Sequence, residues 1–343
     1  MNLKNKKILF LSVSFFQYEK VIAERLSYWG AEVDFYDERP SNSNFSKGII
    51  RFNKKLYQHR IQKYYKRILN ETLSKKYDYF LLIKGEATPA YFLEKVKENN
   101  PGILMIYYSF DALAEYPKLL NHLSFFDKKF TFEYQDAVRY GLKFRPLFYL
   151  DEYRNPAKAK DNNNYDIVFI GSAHTDRYLI GEQVKKHAGK LGLQCFFYYY
   201  AMGKIAFNLK KILDHHLKQF DTGKLSFEKL THKQIINYYE NSISVLDINK
   251  PFQNGLTIRT FEVLASGRKL ITTNSDIKNY PFYNPNNIFI IDREVVELDT
   301  VFFKIPFEEM DEDTLRMMSL DSFIECLFFK DQDHYWDSFR NKA

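Results

Sequence analysis

Short apolar runs alternate with longer amphipathic stretches along most of this chain. Lys7 to Ser14 is an apolar run that predicts a buried strand, and Gln17 to Trp29 has the apolar spacing of a helix, which Gly30 ends. Glu32 to Asp37 predicts a second strand. Further strands are predicted at 78–83, 103–108, 126–132 and 144–149, with helices at 89–98 and 133–140. Strands that alternate with helices are typical of a parallel sheet, so this part of the chain predicts an α/β domain.

The pattern is interrupted at residues 151–164, which are polar and have no apolar periodicity. It resumes with a strand from Tyr165 to Ile170. Later strands are predicted at 193–200, 243–248, 269–273 and 287–291, and helices at 204–220, 233–240 (after Thr231 as N-cap), 258–265 and from 311 onward. The sequence therefore predicts two α/β domains joined by a polar linker.

The segment from Ile243 to Ser275 reads as strand, polar loop, helix and strand. Such a βαβ unit places ligands at the carboxyl ends of its strands. The polar and charged residues at that end are Asn249, Lys250, Asn254, Gly255, Thr257, Arg259 and Glu262. A loop of Gly and Asn that opens onto a helix N-terminus offers N–H groups to an anion, and a nearby cation favours the same ligand. The alternative is an ordinary strand–helix–strand segment with a polar loop.

A second junction of this kind follows the strand that begins at Tyr165. Gly171 and Ser172 end that strand, and Arg177 lies a turn into the next helix. Small residues let a phosphate or sugar approach the backbone, and Arg177 is a candidate partner for a diphosphate. His174 in the same loop either contacts a ligand or faces solvent.

The segment Asn254-Gly-Leu-Thr-Ile-Arg-Thr-Phe-Glu262 resembles the nucleotide-sugar loop of GT-B glycosyltransferases. Its Thr-x-Arg-x-Phe-Glu pattern, followed by Ala-x-Gly, is typical of the CgeB-like relatives among the group 1 glycosyltransferases of bacterial lipopolysaccharide and capsule synthesis. The resemblance implies that Glu262 binds the donor ribose and that the loop amides, including that of Leu256, hold the diphosphate or sugar. Asn254 stands where many relatives have a Glu, so this chain departs from the family there.

The fold implied by this resemblance is α/β and GT-B: two Rossmann-like domains with parallel sheets facing across a cleft. The expected boundaries are 1–150 for an N-terminal acceptor domain, 151–164 for a linker and 165–320 for a nucleotide-sugar donor domain. Residues 321–343 are expected to form a C-terminal helix that returns to the N-terminal domain.

The activity implied is transfer of a sugar from a nucleotide-diphosphate sugar to a cell-surface polysaccharide, lipopolysaccharide or capsule acceptor. Cations at the donor site would offset the charge of the leaving diphosphate, so neither a metal nor a cofactor is expected. Two other classes stay open: a sugar-nucleotide epimerase of the same fold, and a non-catalytic partner that binds a sugar nucleotide or glycan.

An inverting transfer needs a carboxylate that takes a proton from the acceptor hydroxyl. Asp111 is the first candidate for this base and Glu86 the second, because each follows a predicted strand. Carboxylates at such positions also often cap the next helix. A retaining transfer would need neither as a base.

Two patterns resemble metal sites without supporting one. His215 and His216 are adjacent in a predicted helix, so we expect their rings to face different directions. Asp331-Gln-Asp333 has the D-x-D spacing of metal motifs, but it lies in a charged C-terminal tail rather than after a strand.

Charge is concentrated in residues 47–76, which hold ten Lys or Arg against a single acid, within a chain whose net charge is +7. Tyr57, Ile61, Tyr64 and Ile68 recur there at helical spacing. One interpretation is a helix that meets an anionic membrane surface or a phosphorylated acceptor. The other is a solvated helix whose Ile and Tyr face packs on the sheet. No nucleic-acid-binding module accompanies the charge, so nucleic acid is not an expected partner.

Cellular location is predicted from the cysteines and the N-terminus. Cys195 and Cys326 lie far apart in apolar or helical contexts that fit reduced thiols. The N-terminal apolar run is short and lacks a small-residue cleavage site. We expect a cytoplasmic protein, with peripheral attachment to the inner face of the membrane as one option.

Overall fold

The computed structural model describes residues 2–41, 54–154, 164–330 and 334–337, and these form two compact units. Unit 1 comprises Met1–Pro146 and Asp321–His334. Unit 2 comprises Leu147–Leu320 and Tyr335–Ala343. Each unit is built around one parallel sheet.

The sheet of unit 1 has six strands in the order β2-β1-β3-β4-β5-β6, and all of its pairs are parallel. The strands are β1 Lys7–Ser12, β2 Glu32–Asp37, β3 Tyr79–Ile83, β4 Leu104–Ser109, β5 Lys128–Thr131 and β6 Lys143–Phe144. Phe10 of β1 lies opposite Phe35 of β2 and Leu81 of β3, and the central strands are buried on both faces. Strand order reverses between β1 and β3, which makes the carboxyl ends of these two strands the topological switch point.

The described helices between these strands are α1 Tyr18–Tyr28, α2 Lys54–Thr72, α3 Ala90–Asn99 and α4 Tyr134–Tyr140. Shorter 3₁₀ segments at Leu113–Glu115 and Pro117–Phe125 connect β4 to β5. The expected strand at 144–149 is shorter, since only Lys143–Phe144 pairs with β5, while Tyr149 makes an isolated parallel bridge to Ser319 in unit 2.

The described part of the basic stretch forms α2. Ile61, Tyr65 and Ile68 are buried in the core of unit 1, and Tyr64 packs against it. The cations between them are exposed: Arg60, Lys63, Lys66 and Arg67. The apolar face of this helix therefore packs inside the protein, and its outward surface is polar. Residues 47–53 of the stretch lie outside the described residues.

The sheet of unit 2 also has six parallel strands, in the order β12-β11-β10-β7-β8-β9. They are β7 Tyr165–Ser172, β8 Cys195–Tyr200, β9 Leu225–Ser226, β10 Ser242–Asp247, β11 Lys269–Thr272 and β12 Ile288–Ile290. β7 lies between β8 and β10, so the switch point of this sheet is at the carboxyl ends of β7 and β10.

The later helices are α5 Arg177–Lys190, α6 Lys204–Leu213, α7 His232–Glu240, α8 Ile258–Ala265, α9 Thr300–Lys304, α10 Glu312–Met317, α11 Leu320–Phe328 and α12 His334–Asp337. Thr231 begins α7 with a capping box that includes Gln234. The helix expected at 204–220 ends at Leu213, because Asp214 caps a separate 3₁₀ turn at His215–Leu217.

Helix α11 belongs to unit 1 from Asp321 onward. Its Phe323 ring packs edge-on against Tyr108 of β4, and Asp321 forms an ion pair with Arg25 of α1. Trp336 of α12 instead belongs to unit 2, where it is buried beside Phe261 and Phe282. Among the described residues, no helix is both long and apolar enough to cross a membrane.

Candidate functional site

The donor residues predicted from the sequence lie at the switch point of unit 2. Gly171 and Ser172 end β7, and Asn249 to Thr257 connect β10 to α8. The strand order brings these two segments side by side, since β7 and β10 are paired neighbours. A ligand crevice is expected at this edge of such a sheet.

Asp247, the last residue of β10, fixes the start of α8. Its buried carboxylate accepts hydrogen bonds from Thr257 Oγ1 at 2.6 Å and from Arg259 Nη1 at 2.9 Å. Burial disfavours the charged form of the guanidinium, but Asp247, Tyr239 and Glu262 together outweigh this effect and raise the pKa of Arg259. Asp247 was not among the predicted site residues, because it lies inside the apolar run predicted as a strand at 243–248.

Two further arginines complete this region. Arg177 is buried and donates through Nε to the carbonyl of Ile248 at 2.8 Å. Arg293, which follows β12, donates to Asp176 at 2.7 Å and to the backbone carbonyl of Asn249 at 2.6 Å. These bonds connect the loops that follow β7, β10 and β12. The arginines therefore fix the conformation of these loops and also give the edge positive charge.

The arginines are close enough to repel one another. Burial first, and then the charge of Arg259, lower the pKa of Arg177 to about 10, with Arg293 adding to the effect. Asp247 and Asp176 act in the opposite direction. We refer to Arg177, Arg259, Arg293, Asp176 and Asp247 as the arginine cluster. Its three guanidinium groups lie close together, and the pKa of Arg177 is lowered, so an anion bound beside Arg177 would favour the charged form of that guanidinium.

The loop before α8 is held by side-chain amides. Asn274 donates to the carbonyl of Asn254 at 2.9 Å, and Gln253 donates to the carbonyl of Gly255 at 3.0 Å. Asn249 donates to the carbonyl of Gln253. Carbonyl groups of this loop are thus occupied within the protein, and the first turn of α8 directs N–H groups without intrahelical acceptors toward the same edge.

The other predicted donor residues at this edge differ in how deeply they are buried. Glu262 is buried one turn along α8 and lies near enough to Arg259 to raise its pKa. The side chain of Leu256 is buried, so only its backbone can meet a ligand. Lys250 is half-buried. Phe252 in the same loop is exposed.

At the end of β7, a Cβ on Gly171 would lie 2.7 Å from the ring of Phe169. The space left by this glycine is therefore filled by an aromatic ring. Ser172 is half-exposed, and its carbonyl accepts a long bond of 3.4 Å from Arg177. His174 is half-buried beside Thr175, whose φ of 52° is left-handed. The roles of these residues toward a donor stay predictions.

In unit 1 the predicted bases lie in a network of buried charges. Asp111 pairs with Lys84 Nζ at 2.7 Å, and Glu86 pairs with Arg39 Nη2 at 2.8 Å. Lys84 also approaches Glu86, at 3.7 Å. The Asp111 side chain is 21% exposed and that of Glu86 8%, so solvent and ligands reach Asp111 more readily. The structure thus brings together the two carboxylates that the sequence singled out.

Neither carboxylate supplies the helix cap that was the alternative role. In the 3₁₀ segment after Asp111, the N–H of Leu113 donates to the carboxylate of Asp136 in α4 at 2.7 Å. The N-cap of α3 is Pro89 and makes no side-chain capping bond.

Glu38 is the residue of this network that the sequence did not identify. It follows β2, is fully buried, and neither of its carboxylate oxygens has a hydrogen-bond partner among the residues that the structure describes. Burial raises the pKa of Glu38 to about 7, against the opposing charges of Arg39 and Lys84. The Glu-Arg pair directly after a predicted strand was the signal that could have pointed to it. We call Glu38, Arg39, Lys84, Glu86 and Asp111 the acidic network.

The backbone at this edge is unusual as well. Lys84 has a φ of 78° and Gly85 a φ of 81°, both left-handed. A left-handed lysine is uncommon and costs energy that its surroundings must supply. Tyr107 Oη donates to the Lys84 carbonyl at 3.0 Å, and the Lys84 N–H donates to the Tyr108 carbonyl at 2.9 Å. These bonds hold the Lys84 side chain against Asp111.

One expectation about metals was wrong in its geometry. The rings of His215 and His216 lie 3.9 Å apart rather than facing different directions, because the 3₁₀ turn brings them together. With Asp214 they place three potential ligand atoms within 4.8 Å of one another. The Asp214 carboxylate accepts a hydrogen bond from the His216 backbone N–H at 3.1 Å. Asp331-Gln-Asp333 lies outside the described residues.

Comparison of the sequence with protein-family models and with curated proteins gives no match. Solved structures are similar over nearly the whole chain. Sucrose-phosphate synthase from Thermosynechococcus elongatus has a TM-score of 0.57 at 10% identity, covering 98% of this chain and 97% of its own. A UDP-forming α,α-trehalose-phosphate synthase from Burkholderia xenovorans, in complex with glucose-6-phosphate, has a TM-score of 0.60 at 10% identity, covering 94% and 99%.

A UDP-GlcNAc 2-epimerase from Methanocaldococcus jannaschii, in complex with UDP-GlcNAc and UDP, has a TM-score of 0.50 at 12% identity, covering 93% of this chain and 99% of its own. Similarity at these identities establishes the fold and not the reaction. The chain has two Rossmann-like units with parallel sheets, and its fold is GT-B.

Proposed function

We propose that this protein transfers a sugar from a nucleotide-diphosphate sugar to the hydroxyl of a polysaccharide, lipopolysaccharide or capsule acceptor, in the manner of CgeB-like enzymes. The observation that carries the proposal is the arginine cluster at the switch point of unit 2, where burial and the neighbouring arginines lower the pKa of Arg177. A diphosphate is the anion that a glycosyl donor would bring to this edge.

In this proposal the first turn of α8 and the preceding loop bind the diphosphate through backbone N–H groups, as helix N-termini commonly do. Arg177 and Arg259 both add charge where the loop begins, since Arg177 is bonded to Ile248 and Arg259 to Asp247. Glu262 receives the ribose hydroxyls. The complete set of proposed donor residues is Gly171, Ser172, Arg177, Asn249, Lys250, Asn254, Gly255, Leu256, Thr257, Arg259 and Glu262.

The transfer step then depends on stabilising the leaving nucleotide diphosphate. Negative charge grows on that group as the glycosidic bond breaks, and fixed guanidinium groups in a desolvated site stabilise it without reorganisation. The same residues would thereby do what a divalent cation does in other enzymes, so the proposed reaction needs no metal and no cofactor.

Activation of the acceptor is assigned to the acidic network. Asp111 is the preferred base because it is the more exposed of the two predicted carboxylates and is oriented by Lys84. Glu86 is the second choice, since it is buried against Arg39. The proton would move from the acceptor hydroxyl to a carboxylate oxygen as the new glycosidic bond forms. A retaining transfer would dispense with this step.

The acceptor class is proposed on the resemblance of the donor loop alone. The exposed cations of α2 offer a surface for anionic groups on a saccharide or a membrane, and such contact would be electrostatic because the apolar face of α2 is buried.

The competing function is epimerisation of the sugar nucleotide, which the similarity to the archaeal epimerase favours. Purified protein should first be screened for thermal stabilisation by UDP-, GDP-, CDP- and dTDP-linked sugars, since a ligand bound only by the folded state raises the melting temperature. Stabilising donors are then incubated with and without saccharide acceptors. Release of nucleotide that requires an acceptor supports transfer, while a changed sugar without acceptor supports epimerisation. Absence of stabilisation by every donor would contradict the proposal.

A further inference from the structure

Helix α6 presents an apolar stripe to solvent. Ile205, Leu209 and Ile212 are 80%, 59% and 72% exposed, and Met202, just before the helix, is 50% exposed. Residues spaced by four and three lie on one face of a helix, so the three side chains form a continuous ridge. The described residues contain thirteen large exposed hydrophobic side chains, and four of them lie in this one segment of unit 2. Such a concentration marks an interaction surface.

The opposite face of α6 is firmly packed. Phe207 is buried, and its ring lies 5.1 Å from that of Phe220 in the core of unit 2. Lys211 donates to the backbone carbonyl of Phe220 at 2.6 Å. The helix is therefore anchored with its apolar ridge outward, and turning the ridge inward would remove Phe207 from the core.

The charged residues within α6 are all basic. The helix carries Lys204, Lys210 and Lys211 and has no acidic residue, and Lys218 is exposed beyond the following turn. Helical periodicity places Lys204 on one side of the ridge and Lys210 on the other, while Lys211 lies toward the packed face, where it bonds to Phe220. The nearest acid in sequence, Asp214, accepts a bond from the His216 N–H.

This combination fits a lipid surface better than a second copy of the chain. Two copies that met ridge to ridge would bring their lysines together, and one ten-residue helix is small for a stable dimer, which typically buries about 1,600 Å². An apolar ridge flanked by cations is the pattern of helices that lie in the plane of a membrane interface. Lysine side chains beside the ridge can reach anionic headgroups while their alkyl chains stay near the apolar layer.

We propose that α6 docks unit 2 on a bilayer containing anionic phospholipid, with Ile205, Leu209 and Ile212 inserted at the level of the headgroup–acyl boundary. This contact is separate from the donor and acceptor chemistry and from the charged surface of α2. It requires insertion of apolar side chains, whereas Ile61, Tyr65 and Ile68 of α2 are buried in the core of unit 1.

The test is flotation of the full chain with vesicles of phosphatidylcholine alone or with about a third phosphatidylglycerol. The triple variant Ile205→Gln, Leu209→Gln, Ile212→Gln removes the ridge while keeping residues with good helix propensity. We expect wild type to float with the anionic vesicles and the triple variant to lose about tenfold or more of its binding, because each lost apolar side chain weakens partitioning. The matched control is Val295→Gln, Val301→Gln, two residues of unit 2 that are also more than half exposed. It should bind like wild type.

Insertion is measured separately with Leu209→Trp, whose fluorescence should shift to the blue and be quenched by brominated acyl chains when anionic vesicles are added. Equal flotation of wild type and the triple variant would overturn the proposal, as would equal loss in the control. So would a wild-type protein that does not bind vesicles but is dimeric and becomes monomeric in the triple variant, since a second copy would then cover the ridge.

Discussion

The carboxyl edges of the two sheets can be compared directly, because both lie at a switch point of a six-stranded parallel sheet. In unit 2, three guanidinium groups lie among the carboxylates of Asp176, Asp247 and Glu262. In unit 1, three carboxylates lie with two cations, and one of the carboxylates, Glu38, has no hydrogen-bond partner among the described residues. The same topology thus supports different electrostatics, which are determined by a few residues at the strand ends.

The difference suggests a division of chemical work. An edge with several guanidinium groups can stabilise an anionic ligand, while an edge with buried carboxylates can hold or accept protons. The proposed transfer needs both functions, a diphosphate to bind and a hydroxyl to deprotonate. Substitutions at each edge test whether unit 2 binds the diphosphate and unit 1 accepts the proton.

The largest effect is expected at Asp111. Asp111→Asn keeps the shape of the side chain but cannot accept a proton, so turnover should fall roughly 10²–10⁴-fold while donor affinity is unchanged. Glu86→Gln, assayed in parallel, tests the second candidate. Turnover is measured as acceptor-dependent nucleotide release. If both variants keep near-normal turnover, the edge of unit 1 does not supply a base and a retaining mechanism becomes the better hypothesis.

Asp247→Asn should reveal how strongly the arginine cluster depends on its central carboxylate. The substitution leaves Arg259 buried without its charge partner, which costs about 3–5 kcal/mol of folding free energy in comparable buried pairs. Urea unfolding at neutral pH measures this loss. Asp313→Asn is the matched control because that carboxylate is almost fully exposed and its ion pair with Arg316 is at the surface. A loss no larger than in the control would show that Asp247 does not hold the cluster together.

Glu38 predicts a pH dependence of stability. Its pKa of about 7 in the folded protein lies above the ordinary value of 4.5, so the folded state holds the proton more tightly than the unfolded state. The contribution of Glu38 to stability is therefore complete below pH 4.5 and is lost as the pH rises toward 7. The loss amounts to roughly 3 kcal/mol, since each pKa unit is worth about 1.36 kcal/mol.

Unfolding free energies of wild type and Glu38→Gln should be compared across that pH range. Gln cannot titrate, so the variant lacks this decline and gains on wild type as the pH rises. The quantity to follow is the difference between the two curves, which removes the contribution of the other titrating groups. Parallel curves from pH 4 to 8 would refute the assignment.

These two edges also show what the sequence could predict. The strands were recognisable because buried parallel strands are continuous apolar runs, and the loop at Asn254–Thr257 was recognisable because Gly and Asn stand before a helix. Asp111 and Glu86 were found because they follow predicted strands. Glu38 and Arg293 follow strands as well, but their importance depends on burial and on partners distant in sequence, such as Lys84 and Asp176.

The exposed ridge of α6 could not be predicted for a related reason. Periodicity indicates an apolar face but not whether the protein covers it. Helix α2 and helix α6 both carry apolar residues at helical spacing among lysines, yet Ile61, Tyr65 and Ile68 are buried whereas Ile205 and Leu209 are exposed. Only packing distinguishes them.

The smallest effect is expected at Glu262. The substitution is the same chemical change as Glu86→Gln on the other edge, so the two edges can be compared directly. Glu262→Gln should weaken donor binding by roughly 1.5–3 kcal/mol, the range for a hydrogen bond to a charged group, because an amide is a weaker acceptor for ribose hydroxyls than a carboxylate. Calorimetric titration with the donor identified by thermal shift measures the change, and Glu294→Gln, at an exposed position of unit 2, is the control. The charge removed also lies near Arg259, so the melting temperature of the free protein is measured first to confirm that the variant is folded. If Glu262→Gln binds the donor as tightly as the control, Glu262 is not the ribose ligand. If Glu86→Gln weakens donor binding as much as Glu262→Gln does, donor binding is not confined to the edge of unit 2.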